Sequence, residues 1–249
     1  MTKVEDYRRM LSELEDWEAY LGAESRLPGP RGNLELAQAV ALEASDERIW
    51  ALAARVGEQS PENTPQVFVA FCGVLGLGRL AAAGQPAAIG RLETHASDRR
   101  WRIREAVAMA LQKVGRADPT LLRQSIVRLV LGDRYQQRAA VAALCEPDLL
   151  SDPQLADDTL DVLDTLTAGL AGSEDRRSEP FRALRKALGY GWSVAIVASP
   201  TAGRQRFAVW LTSDDPDIRW LLRENLRKAR LERLDADWVE ACRRQLAGQ

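Results

Sequence analysis

Apolar residues recur along most of this chain at intervals of three and four. Val4, Tyr7, Leu11, Leu14, Trp17 and Leu21 share one helical face, so the chain is expected to open with a single amphipathic helix ended by Gly22. Leu27-Pro28-Gly29-Pro30-Arg31-Gly32 interrupts the pattern. Asn33 is placed to cap a helix ending at Glu43, and Ser45 or Asp46 to cap another ending at Val56. A second break spans 61–65, and the apolar run 67–83 reads as a buried helix or helix pair. A helix over 86–96 follows, with Ser97-Asp98 as a cap. The next helix carries Ile103, Val107, Ala110, Leu111 and Val114 as a core stripe.

Pro119 opens a helix over 121–131. Gly132-Asp133 turns the chain, a core face runs over 138–145, and Glu146-Pro147 ends it. An acidic helix is expected over 155–170 and a polar loop over 172–179. Two short helices, 181–188 and 192–198, are expected on either side of Gly189 and Gly191. Helices over 202–211 and 216–233 come next, and Asp235 caps a last one over 238–246. Period-2 alternation and Asn-Gly or Asp-Gly hairpin signals are almost missing, so the class is all-α.

A weak internal repeat runs through this pattern. Ile103-Arg104 is followed by Leu111 and Lys113; Ile218-Arg219 is followed by Leu226 and Lys228 at the same offsets. Residues 138–144, Arg-Ala-Ala-Val-Ala-Ala-Leu, make a looser third copy. Each copy follows an aspartate-bearing turn, at Asp98, Asp133 or Asp214-Asp215. This resembles the HEAT repeat, whose second helix begins with an Asp-rich turn and a Val/Ile-Arg pair. The resemblance implies a right-handed α-solenoid of stacked antiparallel helix pairs, one domain over residues 1–249, with 1–22 as an N-terminal capping helix. In that family the arginine ties to an aspartate of a neighbouring repeat.

Composition narrows the chemistry. Of 249 residues, 46% are apolar and 28% charged, a folded rather than disordered balance, and the formal net charge is -2. Any nucleic-acid site must therefore be a local basic patch. Cys72, Cys145 and Cys242 are widely spaced, which argues against a disulfide framework or a zinc site. With no apolar signal core at the start and Gly and Arg79 within the run 67–83, a cytoplasmic protein with no membrane partner is expected.

The single histidine, His95, removes most catalytic constellations, and its place near Asp98 suggests a surface or capping role. Gly73, Gly76 and Gly78 form no phosphate-binding loop and are expected to permit close helix packing. Asp157, Asp158, Asp161 and Asp164 read as a solvated helical face rather than a cation site. No metal and no cofactor are expected.

Two basic clusters stand against this acidic background. Arg99, Arg100, Arg102 and Arg104 surround Trp101. Arg219, Arg223, Arg227 and Arg230, with Lys228 and Arg233 nearby, form one stripe of a helix beside Trp220. Such a stripe can contact phosphates, or it can pair with acids such as Asp214, Asp217 and Glu224. The chain also resembles, more narrowly, the bacterial HEAT-like alkylpurine DNA glycosylases. Gln137-Arg138-Ala139-Ala140 is similar to their DNA-facing segment. Trp220-Leu221-Leu222-Arg223-Glu224 is similar to their lesion-facing one. Trp101 stands where they place an upstream tryptophan, but Glu105 holds the position of their catalytic aspartate, and the interval from Arg138 to Trp220 is longer than theirs.

Two functions remain in view. One is a scaffold that binds a protein or nucleic-acid partner on a concave surface without chemistry of its own. The other is a glycosylase-like repair enzyme that binds duplex DNA, with Glu105 as catalytic carboxylate and Trp101, Arg138 and Trp220 in one groove.

Overall fold

The computed structural model describes residues 2–55 and 60–248, and among them every regular element is helical. The chain divides into two compact units, Met1–Ser125 and Ile126–Gln249.

The first unit contains α1 (Lys3–Glu13), α2 (Trp17–Ala23), α3 (Leu34–Glu43), α4 (Asp46–Ala53), α5 (Pro65–Ala82), α6 (Pro86–His95) and α7 (Trp101–Ala117). The opening segment is two helices, not the expected one. Leu14 turns extended, and Asp16 accepts from the backbone N–H groups of Glu18 and Ala19 at 3.0 and 3.4 Å. Aspartate satisfies a helix N-terminus better than a helix interior, so the apolar spacing continues across a break in the backbone. Asn33 and Ser45 cap α3 and α4 as expected. α4 ends at Ala53, and Val56 lies outside the described residues.

α5 is one continuous helix with Pro65 in its first turn, and it packs against α2, α3, α4, α6 and α7. Burial on nearly all sides explains why its sequence is apolar all round. Its glycines let other backbones touch it. A Cβ on Gly73 would stand 2.2 Å from the Ala53 nitrogen, and one on Gly78 would stand 2.7 Å from the Ala110 carbonyl oxygen. With 18 residues and a mean hydropathy of 1.5, α5 is long and apolar enough to cross a membrane, yet 78% of it is buried inside the protein. The α7 stripe is as expected: Ile103, Val107, Ala110, Leu111 and Val114 are fully buried.

The division between the units falls within α8 (Pro119–Val130). The second unit continues with α9 (Arg134–Leu144), a single 3-10 turn (Leu149–Ser151), α10 (Pro153–Ala168), α11 (Glu179–Ala198), α12 (Pro200–Trp210), α13 (Pro216–Leu226), α14 (Ala229–Leu234) and α15 (Ala236–Ala247). Here α11 is central and packs against α9, α10, α12, α13 and α14.

The expected break at Gly189 and Gly191 is absent, because tertiary contacts hold α11 straight through it. A Cβ on Gly191 would meet Cys145 Sγ at 2.9 Å, and one on Gly189 would meet the Trp220 ring at 3.1 Å. Asn225 of α13, fully buried, accepts from the Ser193 N–H at 2.8 Å and donates to the Leu188 carbonyl at 2.9 Å. This supplies fixed hydrogen-bond partners where two glycines weaken the helix.

The helix expected over 216–233 is instead two helices. Lys228 turns extended, and the exposed end of α13 is satisfied when Arg243 of α15 donates to the Leu226 carbonyl at 2.7 Å.

The residues of the internal repeat occupy like positions. Ile103-Arg104 lies on α7 and packs on α5; Ile218-Arg219 lies on α13 and packs on α11; the third copy lies on α9, also on α11. Asp133 and Asp215 are N-caps of α9 and α13, and Asp98 accepts from the Arg100 N–H at 2.8 Å in the turn before α7.

Candidate functional site

Several arginines of the two basic clusters are spent on the fold. Arg100, Arg102 and Arg104 are buried. Arg100 grips Asp98 through two nitrogens, at 2.9 and 2.7 Å, and donates to the Ser60 carbonyl at 3.1 Å. Arg104 donates to the carbonyls of Asp98 and Arg99, both at 2.7 Å, and Arg102 to that of Gly29 at 2.9 Å. Only Arg99 of this cluster is exposed. Guanidinium groups suit this work because one planar head satisfies several carbonyls at once. Asp98 is held below its ordinary pKa: burial opposes the charge, and the Arg100 hydrogen bonds outweigh it.

Trp101, the first residue of α7, is 42% exposed. The Arg102 guanidinium stacks on its ring at 4.0 Å and lies 3.6 Å from the Glu105 carboxylate. Trp101 and Glu105 are therefore brought together through Arg102 in the first unit, beside a small recess bordered by Leu27, Phe68 and Phe71.

In the second unit, Arg138 is half-buried on α9 and Trp220 half-buried on α13. Trp220 packs on Gly189, with the Arg185 guanidinium over its ring at 4.3 Å. Arg185 is also ion-paired with Asp217, which in turn accepts from Arg176 at 2.6 Å. Arg176 bridges to Asp215, whose pKa falls mainly because of that bond. Trp220 thus closes a chain of alternating charges anchored at the N-terminus of α13.

The expected arginine stripe is shortened at its end. Arg219 donates to the Leu246 carbonyl at 2.6 Å and Arg227 pairs with Glu224 at 2.6 Å. Arg223 is exposed on α13, whereas Arg230 is carried onto α14 by the break at Lys228. The acidic face of α10 is also partly engaged. Asp164 accepts from Trp210 Nε1 at 2.8 Å and Arg206 at 3.0 Å, and Asp161 from Arg206 at 2.6 Å. Among the described residues no three His, Cys, Asp or Glu side chains gather in a way that could hold a metal ion.

His95 is not at the surface. It is 4% exposed, its Nε2 has no hydrogen-bond partner among the described residues, and its pKa is lowered to about 4. Burial is the main cause; Arg91 and Arg100 push the same way, and Asp98 only partly offsets them. The ring is neutral near pH 7.

A concavity lies in the second unit, where the spacing of residues gave no hint of it. It is a cleft of about 660 Å³ between the 3-10 turn, the start of α10, the end of α11 and α14. Leu150, Pro153, Ala156, Val194 and Val197 make it apolar, and Arg230 and Arg233 line one wall. Tyr190, one turn before Val194 on α11, is 43% exposed and accepts a 2.6 Å hydrogen bond from Arg230. Arg233 was visible in the basic run 219–233. The opposing wall comes from segments remote in sequence.

No protein-family model matches the chain, and no curated protein is significantly similar to it.

Proposed function

We propose that the chain is a HEAT-like helical-repeat module that binds a protein partner and carries out no chemistry of its own. One observation carries this reading: four arginines of the two basic clusters are committed to backbone carbonyls of the fold. Arg100, Arg102, Arg104 and Arg219 all serve this way. The repeat reading is supported by the matching placement of the Asp-turn helices α7 and α13, each against the central helix of its unit. A salt-titrated duplex-binding assay tests it. The expected result is no sequence-independent retention of a duplex at low salt; tight binding that weakens steeply with salt overturns the protein-partner reading.

The glycosylase reading keeps one specific support, the exposed Trp101 with Glu105 one turn further along α7. In that reading Glu105 stabilises positive charge as the glycosidic bond of an alkylated purine breaks. Release of methylated purine from alkylated duplex DNA, lost in Glu105→Gln, decides for it. No release decides for the module.

A further inference from the structure

Several arginines of the second unit hold carboxylates, whereas the two that line the cleft do not. Arg176, Arg185, Arg204, Arg206, Arg227 and Arg243 each hold a carboxylate. Arg230, Arg233 and Lys228 do not: among the described residues Arg230 has the neutral Tyr190 hydroxyl, and both Arg230 and Lys228 lie over the Tyr190 ring, at 4.5 and 6.0 Å. Arg230 and Arg233 therefore line one rim, with Lys228 near the Tyr190 ring that Arg230 covers. The other wall carries one acid, Asp157, which is exposed. Between the two lies the apolar floor of Leu150, Ala156, Val194 and Val197. Val197 is 41% exposed.

A nucleic-acid strand matches this poorly, because the floor offers it no flat aromatic platform. A free small anion would leave the floor uncovered. A peptide matches each part. Tyr190 and Val197 are separated by seven residues of α11, about 10 Å, the span of about three extended residues. Side chains of an extended segment alternate, so an aliphatic group can enter the floor while its neighbours' carboxylates reach the arginine rim.

We propose that this cleft docks a short extended peptide segment in which aliphatic and acidic residues alternate. Val194, Val197 and Leu150 receive the aliphatic side chain, and Arg230 and Arg233 receive the carboxylates. The proposal rests on the reading of the chain as a protein-binding module.

The test uses the full chain and two fluorescein-labelled heptapeptides, one alternating Leu with Asp and Glu, the other Leu with Lys, with binding read by anisotropy. The acidic peptide is expected to bind at least about tenfold more tightly than the basic one. Arg233→Glu should erase that preference, and Val197→Asp should weaken the acidic peptide by a similar factor. Both positions are exposed, and unchanged circular dichroism confirms that the variants fold. Equal affinity for the two peptides, or acidic binding untouched by both variants, overturns the proposal. So does octanoate displacing the peptide at the peptide's own affinity, which makes a small amphiphile the occupant. A 12-base-pair duplex whose binding is lost in Arg233→Glu likewise overturns it. If peptide binding fails while duplex binding and purine release are also absent, the cleft is wrong and the module reading stands. Purine release instead removes the module reading whatever the peptides do.

Discussion

His95 makes stability depend on pH in a way that can be calculated. Its ordinary pKa is 6.5, and in the fold it lies at about 4, because burial, Arg91 and Arg100 disfavour the imidazolium. The unfolded chain takes up the proton near pH 6.5, the folded chain only near 4. The stability gained by holding the ring neutral is therefore complete above pH 6.5 and is lost as pH falls toward 4. Between pH 7.5 and pH 5 the linkage relation gives a loss of about 2 kcal/mol. Asp98 faces the ring, but its pKa is lowered, so it titrates below this window. The perturbation is His95→Leu, which keeps an apolar group in the site and removes the titration. Urea unfolding at the two pH values should show the wild type losing about 2 kcal/mol more than the variant, other carboxylates cancelling in the difference. Because the chain has one histidine, a single imidazole Cε1–H resonance reports its pKa directly by proton NMR. A titration midpoint at pH 6 or above, or the same pH dependence in both proteins, refutes the reasoning.

Three further outcomes are expected. Gly73→Ala places a Cβ 2.2 Å from backbone that cannot yield, so it should cost about 3 kcal/mol or more in urea unfolding, whereas Gly90→Ala, with nothing within 4 Å, should stabilise α6 by about 0.5–1 kcal/mol. Asp217→Ala leaves Arg185 and Arg176 short of a carboxylate; both arginines are partly exposed, so the loss should be about 2 kcal/mol, against less than about 0.5 for the exposed Asp157→Ala. Asn225→Leu removes the partners of Ser193 N–H and Leu188 C=O, and should cost about 2–3 kcal/mol with faster amide exchange confined to the middle of α11.

The helices were legible wherever local chemistry and burial agree. Asn33, Ser45 and Asp235 cap the helices their positions suggested, and the Ile103–Val114 stripe is buried as its spacing required. A side chain that satisfies a helix end acts over a few residues, and an apolar stripe needs only its own helix to be recognised. Three other features departed from the expected pattern. The break at Leu14–Asp16 overrode an unbroken apolar period. α11 ran through two glycines because Asn225 and Trp220 stand against them. The division at Lys228 took Arg230 off its expected stripe.

The same distinction holds for the arginines. Their number and spacing lie in the chain, but a guanidinium reaches far, and whether it meets solvent or a carbonyl many residues away depends on what packs beside it. Arg102, near Trp101 in sequence, is used on Gly29, while Arg230 and Arg233 are left facing a cleft. The sequence by itself determined an all-helical chain, its caps and its principal core face. Only the tertiary structure decided which polar groups were consumed in folding and which remained exposed, because that depends on neighbours that no local pattern encodes.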